Sequence, residues 1–414
     1  MNIKKIVTSA ICAMLIVGSC QASNKKKGEA VFKEPVTDLT SQSLSKAGIL
    51  SGFVKTYSPE PNGCIRTMQG LFNEQVIVKE MSDKTDDICV ELSPVFYVTN
   101  TLNSFKATQS TYWAKKSDIM YTEDLEQKEL DCLPEPVSYK NPSSLDADNV
   151  VTLSEPWTDV TTNKTYSAGT RFVCPSESVS KIFLPVKLLQ YEGDEGSKTK
   201  ILSSCIAPQN ICVKAQDCKK KDLQRSLFVA LLKKWTANNQ EDVIPYVWGG
   251  ASYLDRVPQN DFSKKIDLVY DENKISTKIG YWMRSAQKRI AGFDCSMLAA
   301  RAAQICKIPY FCRTTSTIPE TLSLLGKNEE FAPGDFLWIA GHVMMFSDDN
   351  SIIAAESYSP GYGAVCRTPI QKRFGGVTNC KDVVKLYRED KPLVFISKNG
   401  DKKERPFKIY KLPV

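Results

Sequence analysis

The chain is 414 residues long, 42% hydrophobic and 24% charged, with a formal net charge of +7. Such a length holds about two to four ordinary domains, and this balance excludes a disordered or membrane-embedded chain. Apart from Lys25-Lys26-Lys27 the positive charge is spread along the sequence, a surface property compatible with anionic cell-wall material.

At the start, Lys4 and Lys5 precede an apolar run from Ile6 to Val17, followed by Gly18, Ser19 and Cys20. A positive start, a short apolar stretch and small residues predict a secretory signal over residues 1–20, since a membrane span needs about 20 apolar residues. Val17-Gly18-Ser19-Cys20 resembles a bacterial lipobox, which implies lipidation of Cys20 and anchorage of the exported protein at the outer or cell membrane. Cleavage after Ala22, giving a free periplasmic or extracellular protein, and an uncleaved anchor are the alternatives. Export accounts for Cys64, Cys89, Cys132, Cys174, Cys205, Cys212, Cys218, Cys306, Cys312, Cys366 and Cys380. In an oxidising compartment they predict disulfides, with one thiol or more left over. A metal site is the weaker account, because the chain has one histidine and no Cys-x-x-Cys pair.

Residues 21–47, polar and lysine-rich, predict a flexible tether. From 48 to 125 short β-like runs follow: Gly52-Phe53-Val54-Lys55, Gln75-Val76-Ile77-Val78 and Pro94-Val95-Phe96-Tyr97-Val98, closing with Tyr112-Trp113 and Ser117-Asp118-Ile119. Short strands between turn residues predict a small barrel or sandwich. The closing run resembles the last strand of the bacterial SH3-like domains of wall enzymes. Residues 126–147, acidic with Pro134 and Pro136, read as a linker. A second β-rich stretch, 148–221, includes Ser167–Val173 and Lys181–Val186. It is either a second SH3-like unit or an unrelated small β-domain.

From 222 to 414 the texture changes. Arg225 to Trp235 puts Leu227, Leu231 and Trp235 on one helical stripe. Cys295 to Cys306, rich in alanine and poor in β-branched residues, predicts a helix. Beyond Pro333-Gly334-Asp335, the runs Phe336–Ala340, His342–Phe346, Ser351–Ala355 and Val383–Tyr387 read as strands. A cysteine-bearing helix followed by an antiparallel, histidine-bearing sheet is an α+β plan.

Cys295 follows Asp294 at the start of its helix. A thiol there faces free amide N–H groups and the positive end of the helix dipole, both of which favour thiolate. A thiol nucleophile also needs a base, and a third group to orient the base. His342 is the single histidine of the chain and hence the one candidate base. Alternation along antiparallel strands puts Ile352, Ala354 and Glu356 on one face and brings Glu356 beside His342 as the orienting group. Ser357 or a backbone group is the alternative.

Tyr246-Val247-Trp248-Gly249-Gly250, Asp294-Cys295-Ser296-Met297-Leu298, Pro333-Gly334-Asp335, His342-Val343 and Glu356 stand in that order. They resemble the motifs of the NlpC-type cell-wall cysteine peptidases, a papain-like family, over residues 222–390. The resemblance implies a papain-like α+β domain at 222–414 that hydrolyses the γ-D-glutamyl–diamino-acid bond of peptidoglycan stem peptides through a Cys295 thioester. It implies His342 as base and then acid, Glu356 as orienter, and Asp294, Ser296, Tyr246 and Trp248 lining the substrate site. It further implies a monomer that needs no metal or other cofactor. Two departures stand out. Residues 251–292, with the charged run Asp271–Lys278, lengthen the connection between the first two motifs, and Glu356 occupies a place where His, Asn or Gln is commoner.

Two rival readings follow: an acyltransferase or amidase on the same Cys–His site, and a non-catalytic wall-binding lipoprotein. Cys295 preceding His342 matches the peptidase order. A phosphate-binding glycine loop, a His-Glu-x-x-His motif and the clustered basic–aromatic face of a nucleic-acid binder are all missing from the sequence.

Overall fold

The structure, a computed structural model, describes residues 28–40, 43, 66–81, 87–92, 98–101, 104–108, 111–139, 142–175, 184–190, 200–206, 211–236, 242–258, 291–348, 350–356, 363–397 and 400–414. It mixes helix and sheet in an α+β arrangement. The lipobox with Cys20, the runs at 52–55 and 94–97, Ser357 and the charged run Asp271–Lys278 lie outside these residues.

A seven-stranded antiparallel sheet comes first, with the spatial order Arg66–Leu71, Val36–Thr40, Thr111–Lys115, Asp87–Glu91, Gln75–Met81, Gly28–Phe32 and Ile119–Tyr121. The alternation that makes a strand is plain in Gln75–Met81, where Val76 and Val78 are buried and Ile77 between them is exposed. Residues 28–40 are a correction to the tether expected over 21–47. Ala30, Val31, Phe32, Val36 and Leu39 are buried, and both segments pair as strands. The lysines upstream set the composition of that stretch and hid an apolar pattern too regular for a linker.

Residues 150–214 build a three-stranded sheet from Arg171–Val173, Val150–Leu153 and Cys212–Lys214, with two hairpins, Trp157–Asp159/Lys164–Tyr166 and Leu184–Gln190/Lys200–Ile206. Its core is an aromatic cluster of Trp157, Tyr166 and Phe172, entered by Phe72 from the first sheet with its ring 4.9 Å from that of Tyr166. The stretch read as a linker holds a helical turn, Gln127–Leu130, capped by Glu126 and Glu129.

The remainder centres on a five-stranded antiparallel sheet packed with the helices Lys221–Thr236 and Cys295–Ile305. The helix Lys221–Thr236 buries Phe228, Leu231, Leu232 and Trp235. Trp235 stacks on Phe293 at 5.1 Å, and its indole N–H donates to the Ser154 carbonyl at 3.0 Å. The sheet runs Ala364–Pro369, Ser351–Glu356, His342–Phe346, Phe336–Ile339 and Lys408–Tyr410. The helix Cys295–Ile305 packs against it with Ala299, Ala300, Ala302 and Ala303 fully buried, the small side chains letting helix and sheet approach. Asp335 ends the turn before the sheet, accepting from the backbone N–H of Ala332 and Leu412 and from Arg225.

Two further expectations are corrected here. Val383–Tyr387 is part of a helix, Cys380–Arg388, started by a capping box between Asn379 and Asp382. Its buried residues, Val383, Val384 and Tyr387, follow helical spacing. The disulfides expected of an oxidising compartment do not form among the ten described cysteines, all free thiols. Most serve as small apolar core groups: Cys306 and Cys312 in the main core, Cys174 and Cys212 in the second, Cys132 beside Leu125 and Leu189.

Candidate active site

Two glycines set the backbone around the cysteine. A side chain on Gly250 would collide with the Gly292 carbonyl and Val247, and one on Gly292 would collide with Val247 and the Pro245 carbonyl. Because both are glycine, the segment Pro245–Gly250 lies directly on Gly292-Phe293, joined by Val247 N–H to the Phe293 carbonyl at 3.0 Å and Asp294 N–H to the Gly250 carbonyl at 3.0 Å. The Tyr-x-Trp-Gly-Gly stretch therefore meets the start of the cysteine helix.

Asp294 is the N-cap of that helix. Its Oδ1 accepts from the Met297 N–H at 2.8 Å and from Ser296 Oγ at 2.9 Å, and its Oδ2 accepts from Arg313 Nη1 at 2.9 Å. The Arg313 carbonyl, 2.7 Å from Ser296 Oγ, shares that single hydroxyl proton with Asp294. Asp294, Ser296 and Arg313 are all buried, while Cys295, the first helical residue, is partly exposed. The cap thus holds the cysteine at the positive end of the helix.

His342 opens its strand directly after Gly341, which is left-handed at φ +86°. The register Met345↔Ile353 and Phe346↔Ile352, carried three residues on from the first pair, sets His342 opposite Glu356. His342 Nε2 lies 3.6 Å from Glu356 Oε1, an electrostatic contact longer than a hydrogen bond. Arg373 holds the other carboxylate oxygen, Nη2 to Oε2 at 3.0 Å. Burial works against charge on the imidazole, but the Glu356 carboxylate and the neighbouring Cys295 thiol outweigh it and raise His342 to about 10. Burial alone would raise Glu356, yet His342 and Arg373 bring it below its ordinary value. The structure thus joins Cys295, His342 and Glu356 in one chain of contacts, with Arg373 behind it.

Of the residues assigned to substrate, Trp248 is partly exposed, whereas Tyr246, Asp294 and Ser296 are buried. A ligand ammonium reaching Asp294 would compete with Arg313. Arg313 and Arg373 were not legible in the sequence. Their signal is indirect, because a buried carboxylate requires a cation, and it does not say which arginine supplies it.

No family model matches this sequence, and no curated protein matches it. Among solved structures it is similar to NlpC2 from Trichomonas vaginalis, with a TM-score of 0.29 and 11% identity over 84% of this chain and 94% of that one. It is also similar to NlpC1 from the same organism, with a TM-score of 0.27 and 10% identity over 85% and 91%. Likeness at that level carries no argument, so the functional reading stands on the side chains described above.

Proposed function

We propose that the chain is a cysteine peptidase of peptidoglycan stem peptides, exported and anchored by lipid on Cys20, that cleaves the γ-D-glutamyl–diamino-acid bond. The observation that supports a thiol enzyme is the contact of Cys295, at a helix N-terminus, with a histidine raised by Glu356. The substrate comes from the motif resemblance. A raised imidazole stays protonated beside a thiolate, and the positive helix end favours negative charge on the sulfur. The Cys295 thiolate attacks the scissile carbonyl, and the His342 imidazolium gives its proton to the departing amine, leaving a thioester and neutral imidazole. That imidazole then takes a proton from water as the water attacks the thioester, which releases the acid and restores the pair. The first β unit and Trp248 border the substrate on this reading.

The test is incubation of the full chain with a defined stem tetrapeptide, with and without its disaccharide, and identification of products by mass spectrometry. Cleavage between D-glutamate and the diamino acid is expected. It should be lost in Cys295→Ala and reduced by about 10²–10⁴-fold in His342→Ala. No cleavage of either substrate by the intact protein would favour a wall-binding protein.

A further inference from the structure

Away from the cysteine, a cleft opens where the first sheet, the 134–137 segment, the second β unit and the far end of the cysteine helix meet, with about 480 Å³ of empty space including its mouth. Gln304 lines it some 13 Å along the helix from Cys295.

The polar groups of this cleft are left incomplete in a consistent way. Arg301 is fully engaged, donating to Glu74, to Gln304 Oε1 at 3.0 Å, and to the Gln69 and Ala251 carbonyls. That bond fixes the Gln304 amide, whose Nε2 has no hydrogen-bond partner although the residue is 8% exposed. Arg171 donates through its two terminal nitrogens to the Glu135 and Ser144 carbonyls, and its buried Nε has no partner. Asn73, 3% exposed, leaves Oδ1 without a donor.

Charge points the same way. Glu74 faces Arg171 but is held by Arg301, and the Glu135 residue is exposed at the rim. Behind the cleft lies a second buried cation, Lys307, whose Nζ donates to Thr152 Oγ1 at 2.9 Å. Burial lowers Arg171 to about 10 and, with Arg171 beside it, Lys307 to about 8. Arg171 lines the cavity, Lys307 stands behind it against the lining residue Thr152, and Gln304 adds an unused amide N–H.

We propose that this cleft binds a small tetrahedral oxyanion that keeps one O–H, with hydrogen phosphate as the probe. Its oxygens accept from Arg171 Nε and Gln304 Nε2, and its hydroxyl donates to Asn73 Oδ1. A ligand there touches the first sheet, the second β unit and the cysteine helix together, so binding ties the three.

The test is thermal unfolding of the full chain at pH 7 and fixed ionic strength in chloride, sulfate or phosphate. Phosphate should raise Tm saturably, by about 1–2 °C at ten times its half-saturating concentration, with a smaller shift from sulfate, which has no O–H to offer. Gln304→Glu keeps an oxygen for Arg301 and places a carboxylate against Arg171. It should raise Tm without phosphate and abolish the phosphate response. Asn73→Gly, compatible with the left-handed backbone at φ +66°, should weaken half-saturation by about tenfold. Equal shifts from sulfate and phosphate, or an undiminished phosphate shift in both variants, would mean nonspecific salting and overturn the site. Absence of any saturable shift would mean that the cleft holds water alone.

Discussion

At the scale of single residues, the carboxylate opposite His342 decides how the site titrates. His342 is raised from 6.5 to about 10, so the stability it contributes is complete below pH 6.5 and is lost as pH rises through about 10. Glu356 is lowered from 4.5, so its contribution is present above pH 4.5 and is lost as pH falls through its folded value. The two overlap between pH 4.5 and 6.5. Urea unfolding should show the stability gap between the protein and Glu356→Gln widest in that window and narrowing toward pH 10. In the same variant the alkaline limb of kcat/KM should move down from about 10 toward 6.5. An alkaline limb left in place would mean that Glu356 does not govern the imidazole. Circular dichroism checks that the variant, whose Arg373 loses its counter-ion, still folds.

Elements explain what the sequence disclosed and what it hid. The cysteine helix was legible because alanine-rich composition and an aspartate cap act locally. The histidine strand was legible because its apolar residues continue without a break. Within the helix Cys380–Arg388, the run Val383–Tyr387 reads as a strand because Val383 and Val384 are β-branched, while the capping that decides the matter lies at Asn379 and Asp382. Contacts between distant segments were illegible altogether: Arg301 reaches Glu74 and the Gln69 carbonyl, and nothing near Arg301 in the sequence announces them. That arginine joins the cysteine helix to the first sheet. Arg301→Met should destabilise by about 3–5 kcal/mol in denaturant unfolding, because it strands a largely buried carboxylate. A loss under about 1 kcal/mol would reduce the contact to an ordinary exposed ion pair.

On the scale of the whole molecule, the parts are interlocked. Phe72 of the first sheet completes the aromatic core of the second β unit, and Trp235 of the long helix donates to Ser154 in that unit. Such sharing of side chains joins the two β units and the long helix directly. The cysteines fit this view as filling for cores. Burial pushes Cys212 and Cys366 up to about 12 and Cys218 and Cys312 up to about 11. Denatured but unreduced protein should therefore titrate at least ten thiols with a chromogenic disulfide reagent. Fewer than ten would show that some of these cysteines pair.

The same contrast among thiols gives the most direct test of a Cys295–His342 pair. The full chain is treated at pH 6 with a limiting dose of iodoacetamide, and labelled sites are mapped by mass spectrometry in the protein and in His342→Ala. Cys295 should be the fastest site by a wide margin, since it is partly exposed beside a protonated imidazole, while burial raises Cys212, Cys218, Cys306 and Cys312. His342→Ala should remove most of that reactivity, because the helix terminus alone supplies about 0.3–1 kcal/mol. Undiminished labelling of Cys295 in His342→Ala would contradict the account.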